Sequence, residues 1–144
     1  MKYYFAYGSN MWETQIIKRC PDSRKIGIAR LSGYRWIISS RGFANVVISN
    51  KDAVEGILYE ISASDESTLD KCEGVDSGGY GKAMLCVIHK GKEKKALVYI
   101  DPTVHEGKPK PEYIERLNSA LSDANLSMAY ITRYVRNFIP ERGK

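Results

Sequence analysis

The chain has 144 residues, 43% hydrophobic and 27% charged, with a formal net charge of +5 and a pI near 9.1. One domain spanning 1–144 is expected, since that length buries about 68–70% of its unfolded surface, and the composition excludes a disordered chain. No apolar run approaches the ~20 residues of a transmembrane helix and the N-terminus lacks signal-peptide regions, so a cytoplasmic protein without membrane contact is expected.

Residues 2–7 read as a buried strand that runs into Gly8-Ser9-Asn10 and then a short helix over Met11 to Arg19. Backbone N–H groups converge at such a junction, and the helix start adds partial positive charge. Gly8 permits a tight or left-handed turn, and Ser9 or Asn10 is expected to cap the helix. The junction reads either as a cradle for a carboxylate or oxyanion, or as an ordinary capped connection. Cys20-Pro21-Asp22 ends the helix.

From Ile26 to Ile61 the chain is rich in β-branched and aromatic residues, with strands expected near 26–32, 34–39, 44–49 and 53–62 and a bend at Gly56. Ser64 to Gly74 reads as a helix capped by Ser64, with Leu69 and Cys72 inward and Gly74 as its stop. Strands near 80–89 and 95–100 follow, joined by a lysine-rich turn. Pro111 opens a helix with Ile114, Leu117, Leu121 and Ala124 on one face. Met128, Ile131, Val135 and Phe138 form a second stripe, and residues 139–144 are expected to form a flexible tail. Strands first and helices later predict an α+β domain, a small curved mixed β-barrel with helices packed outside.

Three chemistries are poorly supplied. Cys20, Cys72 and Cys86 form no Cys-x-x-Cys pair, and with His89 and His105 as the two histidines no metal site is expected. The Gly-Lys at Gly81-Lys82 is followed by Ala83, which rules out a phosphate-binding loop. Ser9 lacks the Gly-x-Ser-x-Gly elbow of a hydrolase nucleophile. The lysines sit in turns without an aromatic platform, so no nucleic-acid partner is expected.

Glu73 is the most suggestive acid. It stands at a helix end, where partial negative charge disfavours a carboxylate, and Asp70 lies three residues earlier. Both features, with burial, would raise its pKa toward that of a general base at neutral pH. The alternative is a solvated helix-end glutamate.

Taken together, Tyr-Phe-Ala-Tyr-Gly-Ser-Asn at 4–10, Gly56-Ile57-Leu58-Tyr59, Leu69-Asp70-Lys71-Cys72-Glu73-Gly74-Val75 with Tyr80, and Gly107 to Tyr113 resemble the γ-glutamylcyclotransferase family, including its AIG2-like members. The resemblance covers Tyr3 to about Ile139. It implies a barrel with a pocket at its mouth and a cofactor-independent enzyme that cyclises a γ-glutamyl group to 5-oxoproline and releases an amino acid or amine. Glu73 would be the acid/base. Tyr4, Phe5, Ala6, Tyr7, Gly8, Ser9 and Asn10 would form the substrate segment, with Tyr80 and Tyr113 lining the site. Met11 stands where a leucine is common, and the stretch from Arg35 to Gly56 is shorter than in some relatives, which leaves substrate identity open. The implied partner is a small γ-glutamyl compound. A γ-glutamylamine, a specialised biosynthetic γ-glutamyl substrate and a non-catalytic binding module of the same fold are the alternatives, and a homodimer is left open.

Overall fold

The computed structural model describes residues 1–142. Five strands close into a barrel: β1 (Lys2–Ala6), β2 (Arg24–Ile38), β3 (Ala44–Ile61), β4 (Gly81–His89) and β5 (Lys92–Ile100). Their order is β1-β3-β2-β4-β5. β1 runs parallel to β5 and antiparallel to β3, and the other neighbours are antiparallel. Four helices lie around it: α1 (Glu13–Arg19), α2 (Ala63–Cys72), α3 (Pro111–Ala124) and α4 (Met128–Arg133). This is the expected α+β barrel with flanking helices. Among the described residues, no helix is long and apolar enough to cross a membrane.

The four short strands expected between 26 and 62 are two long ones. Gly33 and the Asn50-Lys51-Asp52 run, which separate the expected strands, fall opposite one another across the β2–β3 ladder. Register runs from Ser32↔Ala53 to Tyr34↔Ile48, so residues 49–52 bulge out rather than reverse the chain. Ser49 Oγ donates to Asp52 Oδ2 at 2.5 Å and closes the bulge. Both strands then bend around the core, which Phe5, Trp36, Ile57, Leu58, Leu97 and Val98 fill.

Gly56 interrupts no pairing. It pairs with Ala29 in the ladder, at a point where β1 crosses very close. A Cβ on Gly56 would stand 2.8 Å from the Phe5 ring and press on the Ala6 carbonyl. Gly56→Ala is therefore expected to cost about 1–3 kcal/mol by overpacking. A urea melt checks this, and a midpoint unchanged from wild type would show that β1 can move aside.

The cap of α2 lies two residues before the expected one. Ser62 and Asp65 form a capping box, with the Asp65 N–H donating to Ser62 Oγ at 3.0 Å and the Ser62 N–H to Asp65 Oδ2 at 3.2 Å. That pair satisfies two orphan donors, so Ser62 outcompetes Ser64. Leu69 is buried as expected, whereas Cys72 is exposed.

On α3, Leu117, Leu121 and Ala124 are buried and Ile114 is half-buried. The second stripe is split, because α4 ends at Arg133 and passes into a 3-10 turn over Val135–Asn137. Ile131 and Val135 are buried and Phe138 is half-buried, Met128 at the start of α4 is exposed, and Ile139 joins the core after the turn.

The expected flexible tail is anchored at its start. Ile139 is fully buried, the Pro140 carbonyl accepts from Asn118 Nδ2 at 3.0 Å, and Arg142 donates to Ser119 Oγ at 2.9 Å. Residues 143–144 of that tail lie outside the described residues.

Candidate active site

A pocket of about 350 Å3 opens at the end of the barrel where β1 leaves the sheet. That is within the usual range for a small-molecule site. Its wall includes Tyr4, Phe5, Tyr7, Gly8, Ser9, Asn10, Glu73, Tyr80 and Tyr113. The fold thus gathers nine of the ten expected site residues, although they come from β1, the turn after it, the end of α2, the loop before β4 and α3. Ala6 is the exception. It is buried in the β1–β3 ladder opposite Ile57, with its carbonyl against Gly56.

The turn after β1 differs from the expected capped helix start. Ser9–Met11 is a single 3-10 turn, and α1 begins only after Trp12, with no side-chain cap. Ser9 and Asn10 instead take part in a network. Gln15 Nε2 donates to Ser9 Oγ and Asn10 Oδ1, both at 2.8 Å, and Asn10 Nδ2 donates to Tyr4 Oη at 2.9 Å. Trp36 Nε1 donates to the Tyr7 carbonyl at 2.9 Å, and Tyr7 Oη donates to the Tyr99 carbonyl at 2.5 Å. The turn is therefore held from α1, β2 and β5 together.

Gly8 is needed for space rather than for a left-handed turn. Its φ is −128°, and a Cβ there would lie 2.7 Å from Tyr113 Oη and 3.2 Å from Ala44 Cβ. Tyr113 comes that close because α3 starts with Pro111, and the preceding loop docks on the β2–β3 turn through Lys110 N–H to the Gly42 carbonyl at 3.1 Å. The Ser9 N–H donates to Tyr113 Oη at 3.3 Å.

Glu73 is the residue that ends α2. Its N–H donates to the Leu69 carbonyl at 2.8 Å, and Gly74 follows at φ +66° as the expected stop. The Tyr80 N–H returns to the Glu73 carbonyl at 3.0 Å, which closes the loop and fixes the backbone of the acid. Burial raises the Glu73 carboxyl to about 7, while Arg19 and Arg116 oppose the rise. The expected push from Asp70 is absent, because Asp70 turns away to accept from Tyr99 Oη at 2.7 Å and from Lys82 Nζ at 3.0 Å.

Burial likewise pushes the Tyr4, Tyr7, Tyr80 and Tyr113 hydroxyls above their usual range, and the Glu73 charge adds to it. These four are neutral donors at neutral pH. Tyr80 Oη is already committed, donating to the Ala44 carbonyl at 2.6 Å.

Sequence reasoning missed the cationic part of the wall: Arg19, Arg41, Lys71 and Arg116, with Phe43 and Tyr99. Arg116 was within reach, since it lies three residues after Tyr113 and stacks 5.4 Å from its ring. Arg41 and Phe43 sit on the β2–β3 turn, and no local pattern places that turn at the pocket.

The family model described as AIG2-like family matches residues 53–134. The chain belongs to the AIG2-like family. Among curated relatives of this AIG2-like chain, gamma-glutamylcyclotransferase of Mus musculus is 30% identical and that of Bos taurus 29%; each match covers 88% of this chain and 73% of the relative. Among solved structures, one titled gamma-glutamyl cyclotransferase superposes with a TM-score of 0.85 at 25% identity, covering 99% of this chain and 90% of that one. YkqA from Bacillus subtilis superposes at 0.81 with 27% identity, covering 97% of this chain and 55% of that one.

Proposed function

We propose that this chain is a γ-glutamyl cyclotransferase, with Glu73 as its acid/base. The observation that carries the reading is the carboxyl of Glu73, raised to about 7, in one wall of a pocket that also contains the Tyr7-Gly8-Ser9-Asn10 turn. The names of the relatives support the reaction class.

In the reaction, the α-amine nitrogen of the γ-glutamyl group attacks its own γ-carbonyl carbon. A new C–N bond closes the five-membered ring, and the bond to the departing amine breaks. Glu73 takes a proton from the α-ammonium and delivers it to the departing nitrogen, and the second proton that the attacking nitrogen sheds as the ring closes leaves on the released amine as its ammonium; such acid/base help is typically worth about 10²–10⁴ in rate. Because attack is intramolecular, holding the substrate folded supplies much of the remainder. The N–H groups of the turn and the neutral hydroxyl of Tyr113 suit the α-carboxylate or the oxygen that becomes negative as the ring closes. No external nucleophile, metal or cofactor enters this scheme.

The test is to incubate the purified protein with γ-glutamyl amino acids, γ-glutamylamines and glutathione and to quantify 5-oxoproline. Release is expected from at least one class. No release across the panel from folded protein would overturn the reading. The pH dependence follows from the carboxyl near 7. The base must be ionised, so kcat/KM falls as pH drops through about 7 rather than through the ordinary glutamate range. A profile flat from pH 8 down to 5.5 would remove Glu73 as base.

A further inference from the structure

Arg19 lies in the last turn of α1, half-buried, and lines the pocket. As a cation at a helix end it is ordinary. Its contacts are less so. Its Nη1 donates to Asn10 Oδ1 at 3.0 Å, the same oxygen that Gln15 Nε2 holds at 2.8 Å. Gln15 and Arg19 are four residues apart, so one face of α1 places both donors on one carboxamide. With Oδ1 taken twice and Nδ2 given to Tyr4 Oη, the Asn10 side chain has a single orientation.

We propose that Arg19 is a positioning residue of this active site, locking the Asn10 side of the substrate turn while facing the acid/base across the pocket. The inference rests on the cyclotransferase reading. The groups that act on Glu73 or feel its charge are Tyr4 from β1, Tyr7 from the turn after it, Arg19 from α1, Tyr80 from the loop before β4, and Tyr113 and Arg116 from α3. Of the two cations, Arg116 is paired with Glu112 at 3.0 Å, whereas Arg19 is bonded to a neutral carboxamide. Arg19 is also the one that opposes the rise of the Glu73 carboxyl more strongly. One side chain thereby links the shape of the turn to the charge state of the base. Burial alone would leave Glu73 protonated further into the neutral range. Arg19 returns part of its ionised form without forming an ion pair that would occupy it.

The experiment titrates the Glu73 carboxyl by ¹³C NMR in protein labelled at glutamate, and measures kcat/KM against pH. The variants are Arg19→Met, Arg19→Lys and Gln15→Leu. Arg19→Met is expected to move the Glu73 titration up by about one pH unit, and the acid limb of kcat/KM moves with it. Arg19→Lys restores the charge and brings the titration back toward wild type. Gln15→Leu loosens the same turn without touching a charge, so it raises KM roughly tenfold and leaves the titration in place. An unmoved titration in Arg19→Met, or an equal movement in Gln15→Leu, would overturn the proposal. Should Arg19→Met fail to fold, Arg19→Gln takes its place with the same expectation. The NMR arm needs no turnover, so a chain that releases no 5-oxoproline would sink the reaction while the titration still decides the role of Arg19.

Discussion

On the proposed reading, Glu73→Gln is expected to leave a folded protein whose release of 5-oxoproline drops by about 10²–10⁴ at pH 8. The amide keeps the size and planarity of the carboxyl, so the close of α2 and the Tyr80 return to the Glu73 carbonyl are undisturbed. What is lost is a group able to accept the α-ammonium proton and give it up again. Substrate binding changes less, because the turn and Tyr113 are untouched. The effect is therefore expected in kcat, with KM moving little. Full activity in this variant would remove Glu73 from the chemistry.

The same substitution should stabilise the fold, and the sign follows from linkage. The folded-state carboxyl is raised to about 7 from an ordinary 4.5. The folded chain therefore holds this proton more tightly than the unfolded chain does. The associated stability is fully present below about 4.5 and is lost as pH rises through about 7. At pH 8 the ionised, poorly hydrated carboxylate costs about 3 kcal/mol. Glutamine carries no such cost, so the variant should melt several degrees above wild type at pH 8, with the gap closing by pH 4. A variant less stable than wild type at pH 8 would mean that the carboxylate is well solvated, and the basis for its tuning would be gone.

The legible part of this molecule is what local pattern controls. Strand β1, the helix stop at Gly74, the proline start of α3 and the order of motifs along the chain are all visible as short runs. These runs carry the resemblance that places Glu73 and Tyr113 in one pocket. What was not legible depends on pairs distant in sequence. Gly33 and residues 49–52 look like two turns until they are set opposite each other across one ladder, where they become a bulge. Ser64 is a reasonable cap in isolation and loses to Ser62 because Asp65 reaches back to it. Asp70 looks set to press on Glu73 until Tyr99 and Lys82, brought by β5 and β4, draw it away. The glutamate is tuned in the expected direction, with burial in place of charge repulsion as the principal cause. The cations of the wall follow the same rule: Arg116 shares a face with Tyr113, while Arg41 depends on where the β2–β3 turn lands.

Gly8→Ala is expected to lower kcat/KM by about 10- to 100-fold, and the second substitution Tyr113→Phe should recover part of that loss. The φ of Gly8 is negative, so a left-handed turn is not what bars alanine. It is excluded by the phenol oxygen, which a Cβ would meet at 2.7 Å. The chain can answer by pushing Tyr113 outward, which breaks the 3.3 Å approach of the Ser9 N–H to its hydroxyl. It can also answer by tilting the turn away from Tyr113, which moves the Ser9 and Asn10 amides. Either response spoils the surface proposed to hold the substrate. Tyr113→Phe on its own removes a donor while leaving the turn in place, so KM should rise more than kcat falls. In the Tyr113→Phe background the clash at 2.7 Å has no partner, and only the 3.2 Å approach to Ala44 Cβ is left to resist the new methyl. The two changes should therefore be non-additive by about 1 kcal/mol or more in a double-mutant cycle on kcat/KM. Strict additivity would mean that Gly8 and Tyr113 act on the substrate independently. The turn and α3 would then be two separate walls rather than one fitted surface.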